Sequence, residues 1–490
     1  MILLEAGRPH GGDRALLGGK AFSINKMLSL GLPVPPAFVF PTTVCAEYYA
    51  SGRTVPGHVP GALREGIAAL ERVVGRKFGD PAAPLLVSVR SGAARSMPGM
   101  MDTILNLGVN AEIAAVLSRQ SGDESFGADT YRRFVEQFTH IVGSAPSEDP
   151  WDQLEKAVAA VFDSWCSPRA TAYRKHHGLP DDAGTAVTVQ AMVFGNLGEQ
   201  SGTGVLFSRN PVTGAAEPYG EWLPGGQGED VVSGRFDPLN LSALASSLPG
   251  VHEELLAAAR VLEAEFGDVQ DIEFTVERGK LWLLQARSAK RSATAALRHA
   301  VAMRHEGLIG VTEALERVTA EQLSALLQPH LDPEARAGAT VLATGEVACP
   351  GVASGVVVTT ADEADEQAAE GKDVVLATPT TNPDDVHGML AARAIITEIG
   401  GATSHAAVVS RELGRPCIVG CGEGVLSSLA GRIVTVDSTS GEVLDGALPL
   451  TGAGTGDAVL EEFCAWVREH ADGAASHLRP ALNEAGQLQS

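Results

Sequence analysis

Ile399-Gly-Gly-Ala-Thr-Ser-His-Ala-Ala-Val-Val-Ser-Arg-Glu-Leu-Gly-Arg-Pro-Cys417 is the stretch whose reading decides the fold. The run before it, Ala394-Ile395-Ile396, is apolar and reads as a strand, and two glycines then turn the chain. Ala406, Ala407, Val408, Val409 and Leu413 suit the buried side of a helix, which puts His405 in its first turn. Thr403 or Ser404 can cap the free amides there, and the positive end of the helix dipole favours an anion. A phosphoryl group on the imidazole would be stabilised at that place, and the small Ala406 and Ala407 leave room for nucleotide phosphates. A single histidine at a helix end is ordinarily a packed or capping residue. The wording around His405 extends well beyond one histidine.

Gly400-Gly-Ala-Thr-Ser-His-Ala-Ala-Val-Val409 resembles the phosphohistidine motif of the pyruvate phosphate dikinase family, which includes phosphoenolpyruvate synthase and rifampicin phosphotransferase. The resemblance implies that His405 is a covalent carrier taking a pyrophosphoryl or phosphoryl group from ATP. Residue chemistry agrees: a neutral imidazole nitrogen is a good nucleophile near pH 7, and its phosphoramidate is reactive enough to pass the group on.

The 490 residues exceed what one hydrophobic core usually serves, so two or three domains are expected. With 60 acidic against 37 basic side chains the formal charge is −23. That excludes the broad basic surface a nucleic acid needs, and leaves anion sites to local clusters. Cys45, Cys166, Cys349, Cys417, Cys421 and Cys464 lack zinc or disulfide-framework spacing and are expected to be reduced. No secretory signal and no run of about 18 apolar residues is present, so cytoplasmic residence with no membrane partner is expected.

In the first half, Leu17-Gly-Gly-Lys20 precedes an amphipathic helix ending at Gly31, a place where Lys20 can meet a phosphate. Leu85 to Gly92 reads as a buried strand carrying Arg90, followed by a Pro/Gly/Met loop, Ser96 to Thr103, able to cover an adenine and its phosphates. Helical patterns fill about 111 to 182, and strands are expected over Thr185–Phe194 and Gly202–Arg209. Asp271 to Arg287 reads as a hairpin turned at Arg278-Gly279. Asp271 and Glu273 share a face of its first strand, Gln285 and Arg287 one of its second, so oxygen ligands for Mg²⁺ and a phosphate-binding guanidinium can gather. A solvent-facing stripe on an edge hairpin would give the same pattern.

Together these pieces resemble the ATP-grasp domain of the family, from Gly18 to Arg291, with Ser88 to Ala93, Met97 to Gly108 and Gln190 to Asn196 similar to the dikinase branch. The resemblance implies Lys20, Arg90 and Arg287 on ATP phosphates, the Gly99, Met100 and Met101 loop over the nucleotide, and Glu273 with Gln285 at the metal. It places Asp271 in the same cluster and Arg132 or Arg133 within reach of a phosphate. The fold class expected is thus α/β multidomain: an ATP-grasp nucleotide-binding domain over 1–291, with a helical insertion at about 111–182, followed by a swivelling α/β phosphohistidine domain over 341–450. Residues 292–340 are expected to be a helical linker without strands, and 451–490 a tail with one amphipathic helix, Asp457 to His470.

The family's dikinases and synthases continue into a barrel for pyruvate or phosphoenolpyruvate, and no such barrel follows in this sequence. The expected function is therefore an AMP-forming phosphotransferase with paired acceptors. ATP is the donor, inorganic phosphate or water takes the terminal phosphate, and pyruvate on a separate barrel chain or another small molecule takes the rest. The competing function is an ATP-sensing module acting on a partner. Thr403, whose ordinary role is a helix cap, is by the resemblance to some dikinases a candidate regulatory phosphorylation site, and a phosphate there would repel an incoming triphosphate.

Overall fold

The computed structural model describes every residue except Pro9, Ser96, Pro98, Gly99, 233–235, Gln328, Asp332, 454–456, 471–472 and 485–490. In the first of its large sheets the order is Ile2–Leu4, Ala37–Phe40, Ala186–Ala191, β1 (Val87–Gly92) and Thr103–Leu107, all antiparallel. The second contains β2 (Gly202–Phe207), β3 (Tyr219–Pro224), β4 (Gln270–Glu277) and β5 (Lys280–Ser288). These run antiparallel in the order β3-β2-β4-β5, with Leu239–Asn240 outside β3.

Helix α1 (Arg14–Ser29) lies between these two sheets. Its Leu17, Ala21, Ile24 and Met27 share a core with Ala186 of the first sheet and with Ile272, Phe274, Val276, Leu281 and Leu283 of the second. The opposite side of the first sheet is covered by helices Thr42–Ala50 and Val59–Val74 and three more spanning 111–164. Gly18, at φ 72°, interrupts α1, and a Cβ there would stand 1.9 Å from the carbonyl oxygen of Gly92. Only glycine lets the helix approach β1 so closely. The approach sets Lys20 against the end of the strand that carries Arg90.

The third sheet has eight strands, in the order Val341–Thr344, Glu442–Asp445, Ile433–Asp437, Val352–Val358, Val374–Thr378, Ala394–Thr397, Cys417–Val419, Glu346–Cys349. Its middle pairings are parallel, and apolar clusters cover both faces, as parallel strands require. Helix α2 (His405–Leu413) packs on one face through Ala406, Ala407 and Val409.

The linker departs from its sequence reading. It is helical over Ala293–His305, Val311–Glu316 and Ala320–Leu326, the last with the capping box Thr319/Gln322, but Pro329–Leu331 is a strand paired with Leu450–Ala453. Outgoing and returning passages run side by side, so each satisfies backbone groups of the other. The tail differs too: Ala458–Glu469 is joined by a second helix, Arg479–Glu484. Leu460, Phe463, Val467 and Leu482 share one core with Ala300, Leu315 and Leu323 of the linker. All six cysteines are free thiols, and no helix among the described residues is long and apolar enough to cross a membrane.

Candidate active site

The β4–β5 hairpin turns at Arg278 and Gly279, both at positive φ (50° and 76°). Outward from the turn Glu277 faces Lys280, Val276 faces Leu281 and Phe274 faces Leu283; the register then shifts, so that Glu273 faces Gln285 and Asp271 faces Arg287. Leu284 is the extra residue of a β-bulge. Opposed residues share a face, so the shift lines up Asp271, Glu273, Gln285 and Arg287 while returning Ala286 to the core beside Ile272. In an unbroken register Gln285 would face Ile272 and point into the core.

Charges interlock on this face. Arg287 Nε donates to Asp271 Oδ2 at 2.8 Å, its Nη2 lies 3.7 Å from Glu273 Oε1, and Arg90 Nη2 donates to Glu273 Oε2 at 3.2 Å. Burial alone would push the Glu273 carboxyl up, but Arg287, Arg90 and Lys20 outweigh it and hold it below the ordinary glutamate range. Asp271 goes the other way: burial raises it in spite of Arg287. Lys20, Arg90 and Arg287 thus surround one carboxylate, as an incoming polyanion would need.

Three polar atoms of the cluster are buried without a hydrogen-bond partner among the described residues: Gln285 Oε1, Asp271 Oδ1 and Arg90 Nε. Orphaned hard oxygens beside Glu273 fit a Mg²⁺ ion held by Glu273 and Gln285. No group of three or more His, Cys, Asp or Glu among the described residues makes a metal site by itself. Such an ion would take its remaining ligands from phosphates and water, which is Mg²⁺'s habit.

Other predicted residues are placed differently. Gly99 lies outside the described residues. The Met100 side chain is buried against Trp165 and Ala170, with Met101 packed alongside, so a nucleotide contact from Met100 would have to use its backbone. Arg132 is engaged by Asp129 and Glu136, and Arg133 by Asp129 and Asp230.

His405 is the first residue of α2, and Ser404 is the N-cap, accepting from the Ala407 amide. Its Nδ1 is 3.1 Å from Thr381 Oγ1, and its Nε2 is buried without a partner among the described residues. Burial pushes the imidazole down to about 4 against the opposing pull of Asp385, so the ring is neutral near pH 7. Ser404 and not Thr403 supplies the cap; the Thr403 hydroxyl donates to Glu221 on β3. Glu221 is 7% exposed, and burial raises its carboxyl to about 7.

Glu221 was not apparent in the sequence reading, and it ties the site together. It faces Val205 on β2, Val205 faces Glu273 on β4, and Glu273 faces Gln285 on β5. One cross-strand row therefore carries Glu221 and both metal-ligand candidates on the same face, the two glutamates about 10 Å apart by two strand spacings. The α2 unit is docked over that face, with Thr403, two residues before His405, seated on the row. Lys290 Nζ to Glu412 at 2.9 Å, Tyr173 to Glu412 at 2.6 Å and Tyr219 to Glu346 at 2.6 Å join the same two units.

A family model described as "Pyruvate phosphate dikinase, AMP/ATP-binding domain" matches residues 54–253 and 250–308, and one described as "PEP-utilising enzyme, mobile domain" matches 370–441. The chain is 42% identical to pyruvate, phosphate dikinase of Rhizobium meliloti, covering 91% of this chain and 58% of that protein. It is 40% identical to the Clostridium symbiosum pyruvate, phosphate dikinase (88% and 56%) and 41% identical to pyruvate, phosphate dikinase 2 of Zea mays (93% and 58%). It spans little more than half the length of these curated relatives. On the sheet that gathers Glu273, Gln285 and Arg287, the histidine helix docked over it and these matches, the chain belongs to the pyruvate phosphate dikinase family.

Proposed function

We propose that this chain catalyses the ATP-cleaving half of a dikinase reaction, with His405 as carrier. Nδ1–H donated to Thr381 leaves the lone pair on Nε2, the buried atom without a partner. Nε2 attacks the β-phosphorus of ATP, the bond from that phosphorus to the oxygen bridging to the α-phosphate breaks, and AMP leaves with the bridging oxygen. Inorganic phosphate or water then accepts the terminal phosphate, and the phosphoryl group on His405 goes to an acceptor: pyruvate on a barrel chain, or another small molecule. Arg90, Arg287 and Lys20 bind and orient the triphosphate, and Mg²⁺ at Glu273 and Gln285 would screen its charge when bound. The units at 1–291 and 341–450 act as nucleotide and carrier domains, and the 292–340 linker joins them.

The observation that carries this reading is the shared row: the residue touching the His405 turn and the residues suited to a metal–triphosphate lie on one sheet face. Proximity of that kind is what direct transfer requires. The test is AMP release with Mg·ATP, with and without phosphate, in wild type, Glu273→Ala and His405→Ala. AMP from wild type alone supports the proposal; ATP bound by all three without AMP would leave a sensing module instead.

A further inference from the structure

We infer that Arg411 is the positioning residue that registers the His405 unit on the nucleotide unit, through the carbonyl of Lys290 and the ring of Phe207. The inference rests on the function proposed above. Arg411 sits near the end of α2 and is 3% exposed. Its Nη1 donates to Ala402 O at 2.9 Å and to Ala348 O at 3.1 Å, and its Nε donates to Lys290 O at 3.1 Å. Its guanidinium carbon lies 5.8 Å from the Phe207 ring centroid.

Those contacts come from separate places. Ala402 belongs to the turn three residues before His405, Ala348 to the edge strand Glu346–Cys349, and Lys290 to the segment three residues after Arg287. Phe207 faces Asp271 across β2 and β4, on the nucleotide face. The clasp is reciprocal: Lys290 accepts from Arg411 through its backbone and donates to Glu412, the next residue, through its side chain at 2.9 Å.

Among the described residues Arg411 makes no ion pair, and its Nη2 is buried without a partner. Burial lowers its pKa, with Cys349 and Asp271 opposing. A buried cation held only by carbonyls and a ring is a poor device for stability alone. It is a good device for register, because planar donors in a fixed fork accept one geometry. Separating the units removes Lys290 and Phe207 but leaves Ala402 and Ala348, so the residue that shapes the His405 turn is completed only on docking.

The experiment is single-turnover formation of the His405 adduct at saturating Mg·ATP in wild type, Arg411→Met, Arg411→Lys, Phe207→Leu and the Arg411→Met/Phe207→Leu double variant. Small-angle scattering of each is recorded under the same conditions. Arg411→Met should slow the adduct by about 10²-fold, the scale of a misplaced reacting group. Half-saturation by ATP should stay within about twofold, since ground-state binding is untouched. Arg411→Lys should not rescue it, and the double variant should be no slower than the slower single one. Wild-type rates, a parallel rise in half-saturation, or multiplying defects would overturn the inference. If wild type forms no adduct, the proposed function fails, and scattering still decides: a particle expanded by Arg411→Met and by Phe207→Leu supports registration, whereas unchanged profiles refute it.

Discussion

Gly401 and Glu221 show at the scale of single residues how docking is built. A Cβ on Gly401 would lie 2.3 Å from Glu221 Oε1, a clash that exists only while the two units are together. Gly401→Ala should therefore slow adduct formation while leaving thermal unfolding within about 1 kcal/mol of wild type, a split that calorimetry and rapid-quench kinetics can measure. Glu221 adds a pH dependence. Its carboxyl rises from 4.5 to about 7 through burial, with Glu346 adding to the rise and Thr403 and Arg411 opposing it. The docked state thus holds a proton that free Glu221 lacks, and this contribution is complete below about 4.5 and lost as pH rises through about 7. His405, lowered from 6.5 to about 4, works in the opposite sense: its contribution is complete above about 6.5 and lost as pH falls toward 4. Adduct formation, which needs both a docked carrier and a neutral imidazole, should peak between these limbs. Glu221→Gln, neutral at all pH, should abolish the alkaline limb of the adduct-rate profile and leave the acid limb; an alkaline limb that persists would assign it to another group.

At the scale of elements, the count of residues from Gln285 to Arg287 decides which side chains of β5 face the site. Deleting Leu284 removes only the unpaired residue and leaves Glu273 opposite Gln285 and Asp271 opposite Arg287, so ATP binding should be retained; deleting Ala286 instead sets Arg287 opposite Ile272 on the core side, so ATP binding should be lost and the melting temperature should fall. Leu284→Ala also keeps these pairs and should retain ATP binding; titration with a fluorescent ATP analogue separates both variants from the Ala286 deletion. The hairpin itself was legible from Arg278-Gly279 and the alternation of Asp271 and Glu273, and the helix bearing His405 from its apolar spacing and its cap. The bulge was not legible, because Leu284 ends a continuous run, Leu281-Trp-Leu-Leu284, that fits either register. Nor was Glu221: β3 is short and mixed, Tyr-Gly-Glu-Trp-Leu-Pro, and the partner of Glu221 is 182 residues away. The strand at Pro329–Leu331 was missed for the same reason, since it exists by pairing with residues near 450.

Across the whole molecule, the joint between the units includes the polar links Thr403–Glu221, Lys290–Glu412, Tyr173–Glu412, Tyr219–Glu346 and Arg411–Lys290, and joints rich in polar links permit relative motion. That suits a carrier that must leave the nucleotide to reach an acceptor. A negative charge at Thr403 would face the Glu221 carboxylate in a buried site, so Thr403→Glu should undock the carrier and suppress AMP release without weakening ATP binding. Full AMP release by that variant would remove Thr403 as a control point. The central claim is that His405 itself carries the group, and intact mass after Mg·ATP addition tests it most directly. The account predicts a pyrophosphoryl adduct on wild type, reduced to a phosphoryl adduct when phosphate is added, and no adduct on His405→Ala. An unmodified wild-type chain with ATP bound, or the same adduct on His405→Ala, would contradict it.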